Sequence, residues 1–444
     1  MLQLLLFILC YFGGFISSFL YHRGYAFATY QLVYFFYPHG PSRWYSASLP
    51  MIPYSFTTVA LMMSVYLLNF KECNKNRLMA APQLVCAYIF GAYFYLLGFF
   101  GAAVNPERHN EFSILFIKTL IIMSIAYKLI NTEKILNVII FAYIGGATYM
   151  GLLVNQVGRN SRDRVAGVGT VDGPDTNDMA ASIVPASVLA LYWFWMHSTL
   201  KIRIPMVISG ALVVNALVLI NSRGAFLGVI GCCGYFMLHL WFSKFRRKGQ
   251  RLGVVVLTLL GISSLFIVLD ESAIERFYSI SDDAEASEED SESGGTRMFF
   301  WAAAYEMSKD YPLGMGFKGF NKFSDEYLPP DLDTGGSRSR TVHSTWFQTL
   351  NETGYPGLII YLLMWLYCFR TLRQCRKVAI KQNNFELYYK FIALEAALIG
   401  YMLPQTFLNR MTAEVPYWII LFSACAYNIY VLKEKQVTSS NPKI

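Results

Sequence analysis

The feature that most limits how this chain can fold is its succession of apolar runs, at roughly 2–20, 50–68, 81–103, 112–130, 134–154, 177–196, 204–221, 223–242, 252–269, 345–369, 388–404 and 414–432. A helix needs about 20 apolar residues to cross ~30 Å of hydrocarbon, and several of these runs reach that length. Charged residues are 15% of the 444, against about 25% in soluble domains, which excludes a soluble fold throughout. The expected fold is all-α: a polytopic membrane helix bundle of about twelve transmembrane helices. Met1 to Leu20 could pass for a signal peptide, but it lacks a basic start and a small-residue cleavage site, and further spans follow, so it is read as a helix. Gly24–Tyr37 is apolar but short. It extends the first span, re-enters or crosses separately, so the side of the N-terminus is open.

The loops alternate in charge. One set is basic: Lys71/Lys75/Arg77, Lys201/Arg203, Lys244/Arg246/Arg247/Lys248/Arg251, Arg370/Arg373/Arg376/Lys377/Lys381 and the tail from Lys433. The positive-inside rule places these in the cytoplasm and accounts for the formal charge of +8 without invoking nucleic acid. The long segment 270–342 then lies outside. The chain divides into N-terminal transmembrane helices (1–269), a large outer loop carrying short helices (270–342), and C-terminal transmembrane helices with a cytoplasmic tail (343–444). None of the eight cysteines falls in the long loop, so no disulfide framework is expected, and their spacings match no zinc site.

The outer loops hold Arg43, Arg108, Arg159, Arg162, Arg164, Arg223, Arg297, Arg338, Arg340 and Arg410, with lysines (Lys309, Lys318, Lys322) only in the long loop. Guanidinium forks bind phosphate oxygens bidentately, so the pattern suggests an anionic ligand at the outer leaflet. Headgroup anchoring by snorkelling is the bland alternative for any single arginine. Arg223 differs, because Asn221-Ser222-Arg223-Gly224 leaves almost no connection between two apolar runs. A cation held there marks function by default, and Gly224 lets a headgroup or another helix come close. Thr296 to Met307 reads as an amphipathic helix with Arg297 in its first turn. That is the unfavourable end for a cation, but a helix N-terminus plus an arginine makes an anion site; a membrane-surface helix is the other reading. His343 opens the run His343-Ser344-Thr345-Trp346 at the entry to a span. With an unperturbed pKa of about 6.5 it can accept a proton near neutrality, although a lone histidine at a helix start is more often structural.

Other matches weigh less. Asp331-Leu332-Asp333 resembles a metal-binding Asp-x-Asp, but it lies in a Pro/Gly-rich outer loop, where nucleotide sugars are absent. The acidic run 282–292 could bind calcium, yet its interspersed Ser and Ala read better as a solvated segment. Lys118 and Glu395 lie within spans and are expected to face the bundle interior. His109, like His39 and His343, is placed facing outward.

Ser222-Arg223-Gly224-Ala225 after a span, Arg297…Trp301 followed by Asp310-Tyr311-Pro312-Leu313-Gly314-x-Gly316, and His343-Ser344…Glu352-x-Gly354-x-x-Gly357 resemble the O-antigen ligase/polymerase superfamily. Asp175-x-Asn177 opening a span, with Ala180, is similar too. The resemblance covers about 155–430, in matching order; the N-terminal third matches only in hydropathy. It implies a multi-pass protein of the bacterial inner membrane that moves a glycan from undecaprenyl diphosphate to an acceptor hydroxyl at the periplasmic face, without metal or cofactor. The acceptor is lipid A–core in the ligase branch, another lipid-linked repeat in the polymerase branch, and a protein Ser or Thr in a third. The family's essential arginines and histidine carry over to Arg223, Arg297 and His343. The acidic insertion before Arg297 and the Arg338/Arg340 pair before His343 are particular to this sequence.

The residue chemistry agrees with that implication. Positioned cations stabilise a departing diphosphate, a task suited to Arg223 and Arg297, with Arg159, Arg162 and Arg164 as auxiliaries and Asn177, Arg338 and Arg340 as further substrate contacts. His343 as general base would contribute ~10²–10⁴-fold. Direct attack inverts the anomeric centre, and no paired-carboxylate arrangement for retention is evident. A transporter of lipid-linked glycan is the reading of a different class. It would show repeated halves with broken helices, and none are apparent.

Overall fold

The computed structural model describes residues 2–100, 103–160, 165–173, 175–268, 294–334 and 337–433. Arg162, Arg164 and the acidic run 282–292 lie outside the described residues. Among those described, the chain is helical without strands: α1 (Leu2–Leu20), α2 (Tyr25–Phe36), α3 (Tyr54–Leu68), α4 (Phe70–Cys73), α5 (Pro82–Leu96), α6 (Pro106–Leu129), α7 (Glu133–Val157), α8 (Thr176–Met196), α9 (Leu200–Ile220), α10 (Arg223–Phe242), α11 (Gln250–Val268), α12 (Gly294–Asp310), α13 (Gly319–Tyr327), α14 (Thr345–Lys381), α15 (Phe385–Met402) and α16 (Glu414–Tyr427). The protein is an all-α, multi-pass membrane protein. Eight described helices are long and apolar enough to span, or nine if the bent pair Phe70–Ala80 and Pro82–Leu96 counts as one. Not all of the twelve apolar runs therefore form helices of full spanning length: α3, for instance, has only 15 residues.

Burial sorts the helices into layers. In α8 and in Glu414–Leu432, 83% of the apolar window is buried, against 22% in α1. The first two are the centre of the bundle and α1 is on its rim, where an apolar surface can meet lipid tails. The short Gly24–Tyr37 segment becomes α2, 12 residues long and buried on nearly all sides. At about 18 Å it cannot cross alone; it stands inside the bundle, with Phe27, Tyr30, Tyr34 and Phe35 around Trp418.

Hydrogen bonds define the two ends of the bundle. At one, Arg23 pairs with Glu72 at 2.6 Å, Lys390 pairs with Glu133, and Gln250 Nε2 donates to Leu240 O and Tyr389 Oη; this end carries the basic loops. At the other, Gln3 at the start of α1 donates to Gln156 near the end of α7, and Trp44 Nε1 donates to Gln3. One polar residue of α6 sits opposite to expectation: Lys118 is exposed rather than turned into the bundle, whereas His109 near the start of the same helix is fully buried. A lysine on a helix face away from the bundle extends its stem along apolar surface toward water. Glu395 is buried, as expected, against Tyr235 Oη at 2.8 Å and Arg376.

Candidate functional site

Arg223, Arg297 and His343 belong to three segments that meet at the end opposite the basic loops, and one side chain ties them together. Helix α9 stops at Asn221, whose left-handed backbone (φ 58°) turns the chain, and α10 starts two residues later with Arg223. Gly224 lies against the 404–407 segment: a Cβ there would stand 3.2 Å from the Phe407 ring. The close approach read from Gly224 is thus made by the protein's own chain. Phe407 in turn contacts Trp301, with ring centroids 6.1 Å apart. Trp301 lies one turn after Arg297 in α12, stacks on Phe347 at 5.7 Å, and donates from Nε1 to Val342 O at 3.1 Å. Val342 immediately precedes His343. The rigid indole therefore fixes the start of α12, the approach to α14 and, through Phe407, the α9–α10 turn.

His343 is half-buried and adopts φ 49°, and its Nε2 lies 3.3 Å from Thr341 Oγ1. Left-handed backbone costs a non-glycine residue about 1 kcal/mol or more and persists where surroundings over-determine it. On one side the Trp301–Val342 bond holds it. On the other, Ser344 N donates to Asn409 Oδ1 at 3.2 Å, Thr345 Oγ1 donates to Leu408 O at 2.6 Å, and Arg410 N donates to Thr345 Oγ1 at 3.0 Å.

The 408–414 loop is anchored by a buried ion cluster that the sequence reading did not single out. Arg410 donates from Nη2 to Asp172 Oδ1 at 2.9 Å and from Nη1 to Asp172 O at 2.8 Å, and lies 3.5 Å from Asp178 Oδ2. Asp172 also accepts from Tyr34 Oη and from Glu414 N at 2.7 Å. Burial alone would raise the Asp172 pKa, but the Arg410 guanidinium and these donors hold its carboxyl below the usual range. The Asp172–Arg410 pair is therefore intact above the ordinary Asp pKa of about 3.9, and its contribution is lost only as the pH falls below that value. Removing one member of a buried pair strands the other, at about 3–5 kcal/mol. Arg410→Ala is expected to lower the melting temperature by several degrees and to loosen the His343 segment. A variant that melts with the wild type would show that the cluster holds nothing.

Two other quoted motifs form one structure. The Pro312–Gly316 turn lies along the start of α14: Met315 N donates to Asn351 O at 2.8 Å, Gly316 N to Glu352 O at 2.9 Å, and Tyr355 N to Pro312 O at 2.9 Å. Gly314 (φ 95°) and Gly354 (φ 63°) face each other so closely that a Cβ on either would come within 2.6 Å of the other's nitrogen. Glycine is required at both on steric and conformational grounds. Glu352 closes the junction by accepting from Lys318 N and Gln348 Nε2, each at 3.1 Å. His109 joins it from below, with Nε2 against Phe94 O at 2.7 Å and Nδ1 accepting from Phe317 N at 3.0 Å. It is a structural histidine between α6 and the long loop.

The remaining expected contacts divide. Arg159 donates to Val218 O at 3.0 Å and Leu219 O at 3.4 Å, capping the C-terminal carbonyls of α9 beside Arg223, where a cation complements the helix dipole. Arg338 is engaged within the long loop by Asp325 and the carbonyls of Leu328, Pro329 and Leu332, which accounts for most of its fork. Arg340 stacks over Phe300 of α12 at 4.5 Å. Asn177 stands in the first turn of α8, with its N–H on Asp175 Oδ1 at 2.6 Å.

No curated protein matches the chain. Residues 206–362 match the family model described as O-antigen ligase. That stretch, about a third of the chain, runs from α9 through the break in α14 and contains Arg223, Arg297 and His343, so the likeness to the O-antigen ligase family falls on the segments that meet at this site.

Proposed function

We propose that the protein is a glycosyltransferase of the bacterial inner membrane, transferring a glycan from undecaprenyl diphosphate to an acceptor hydroxyl, that of lipid A–core, at the periplasmic face. The observation that carries this reading is the Trp301 junction, which gathers two cation-bearing segments and a histidine-bearing segment at one end of the bundle. In the reaction, His343 takes the proton of the acceptor hydroxyl as its oxygen forms the new bond to the anomeric carbon. The bond from that carbon to the diphosphate oxygen breaks with its electron pair, and Arg223 and Arg297 stabilise the charge that develops. Attack opposite to the leaving group inverts the centre, and no metal is needed. Repeat-unit polymerisation and transfer to protein share this chemistry and differ only in acceptor.

Deletion of the gene separates the readings. A ligase leaves finished polymer on its lipid carrier, which is the expected result. Single capped repeats would indicate a polymerase, and an unchanged surface glycan would remove the assignment. Orientation is checked by cysteines placed at Glu326 and Lys381, both exposed at opposite ends. An impermeant thiol reagent is expected to label the first in spheroplasts and not the second.

A further inference from the structure

The end of the bundle remote from the candidate site holds a cavity of about 970 Å³ that the proposed reaction does not use. Tyr235 of α10, the C-terminal half of α14, Glu395 of α15 and Val431 line it. Helix α14 explains its character. From its break at Gly354 it continues to Lys381, about 40 Å of helix, which exceeds the ~30 Å of hydrocarbon. Its last turns therefore reach headgroup level at the end that carries the basic loops.

Arg370, Arg373, Lys377 and Lys381 line the cavity at spacings of three or four residues, which is one face of a helix. All four are exposed, and among the described residues no ion pair engages them. Arg376 turns inward, its Nε 3.1 Å from Glu395 Oε1, while Glu395 Oε2 accepts from Tyr235 Oη at 2.8 Å. The single carboxylate of the lining is thus already occupied, and four cations remain. Toward the bilayer centre the same face continues as Leu366 and Phe369. Orientation alone requires basic residues at this end, but it does not require them to converge on one concave surface above an apolar wall.

We propose that this cavity seats the headgroup of an anionic phospholipid from the adjoining leaflet. The phosphate lies among Arg370, Arg373, Lys377 and Lys381, and an acyl chain runs along Leu366 and Phe369. Basic pockets between transmembrane helices recognise such headgroups by charge. A zwitterionic lipid would bring a second cation to a lining with no free carboxylate, and a soluble phosphate would leave the apolar wall unused.

The test uses the full chain in detergent, with phosphatidylglycerol and phosphatidylcholine titrated by native mass spectrometry. Phosphatidylglycerol is expected to bind at least roughly tenfold more tightly, and Arg370→Gln/Arg373→Gln/Lys377→Gln to abolish that preference. The melting temperature in phosphatidylcholine should be unchanged. A triple variant that keeps the preference overturns the proposal, as does displacement of the lipid by millimolar inorganic phosphate or stronger binding of an isoprenyl phosphate. A photoactivatable phosphatidylglycerol on the wild-type protein gives a reading free of any folding defect. Adducts are expected within 366–381, and adducts only elsewhere refute the site.

Discussion

Arg223→Lys is expected to lose roughly a hundredfold or more of transfer rate, the scale of removing one preorganised donor from a developing charge, while the protein keeps its melting temperature. Lysine preserves the charge but not the planar fork that meets two phosphate oxygens at once. The backbone has little freedom to compensate. Asn221 is already in a left-handed turn, Gly224 abuts Phe407, and Gly228 one turn later abuts the Gly400 carbonyl, 2.8 Å from where a Cβ would stand. A shorter or differently shaped head cannot be brought back into register by moving α10. Arg297→Ala should fall by a similar factor, since it removes the other cation. The measurement is turnover of lipid-linked donor by equal amounts of purified protein. Near-normal turnover by Arg223→Lys would reduce Arg223 to a headgroup anchor.

What the sequence disclosed and what it hid follow from how far each contact reaches along the chain. The α9–α10 turn was legible because its signal is local: two apolar runs with an arginine between them. Arg297 in a first turn and Trp301 four residues on were legible for the same reason. The Gly314 and Gly354 motifs were each visible, but not their stacking, because two positive-φ glycines carry no record of which partner they face. Arg410 appeared only as one outer arginine among ten. Its partner Asp172 lies 238 residues away and was not singled out; a buried cation directly before a span was the available clue. Lys118 was misplaced because α6 carries polar residues on both its buried and its exposed face, and hydropathy averaged over a run cannot say which face meets the bundle. Arg338 looked like a ligand-binding cation because its type and side were right. That the loop itself occupies its fork depends on a fold of 324–338 that no periodicity announces.

His343→Ala is expected to abolish transfer while donor binding persists. The arginines that would hold the diphosphate belong to α10 and α12, and in the proposed reaction the His343 ring serves only the acceptor proton. A general base must be neutral to take the proton. The rate should therefore rise with pH through one limb in the ordinary histidine range, about 6.5, and level off above it, and His343→Ala should erase that limb. His343→Gln should not rescue activity, because an amide hydrogen-bonds but takes no proton. Backbone strain supplies a second control. At φ 49° glycine is the more comfortable residue, so His343→Gly should be as inactive as the alanine variant yet no less stable than wild type. Calorimetry and turnover then report strain and chemistry separately. Transfer at the wild-type rate by either variant, or loss of donor binding in both, would make His343 a residue of the Trp301–Asn409 scaffold and move the general base elsewhere.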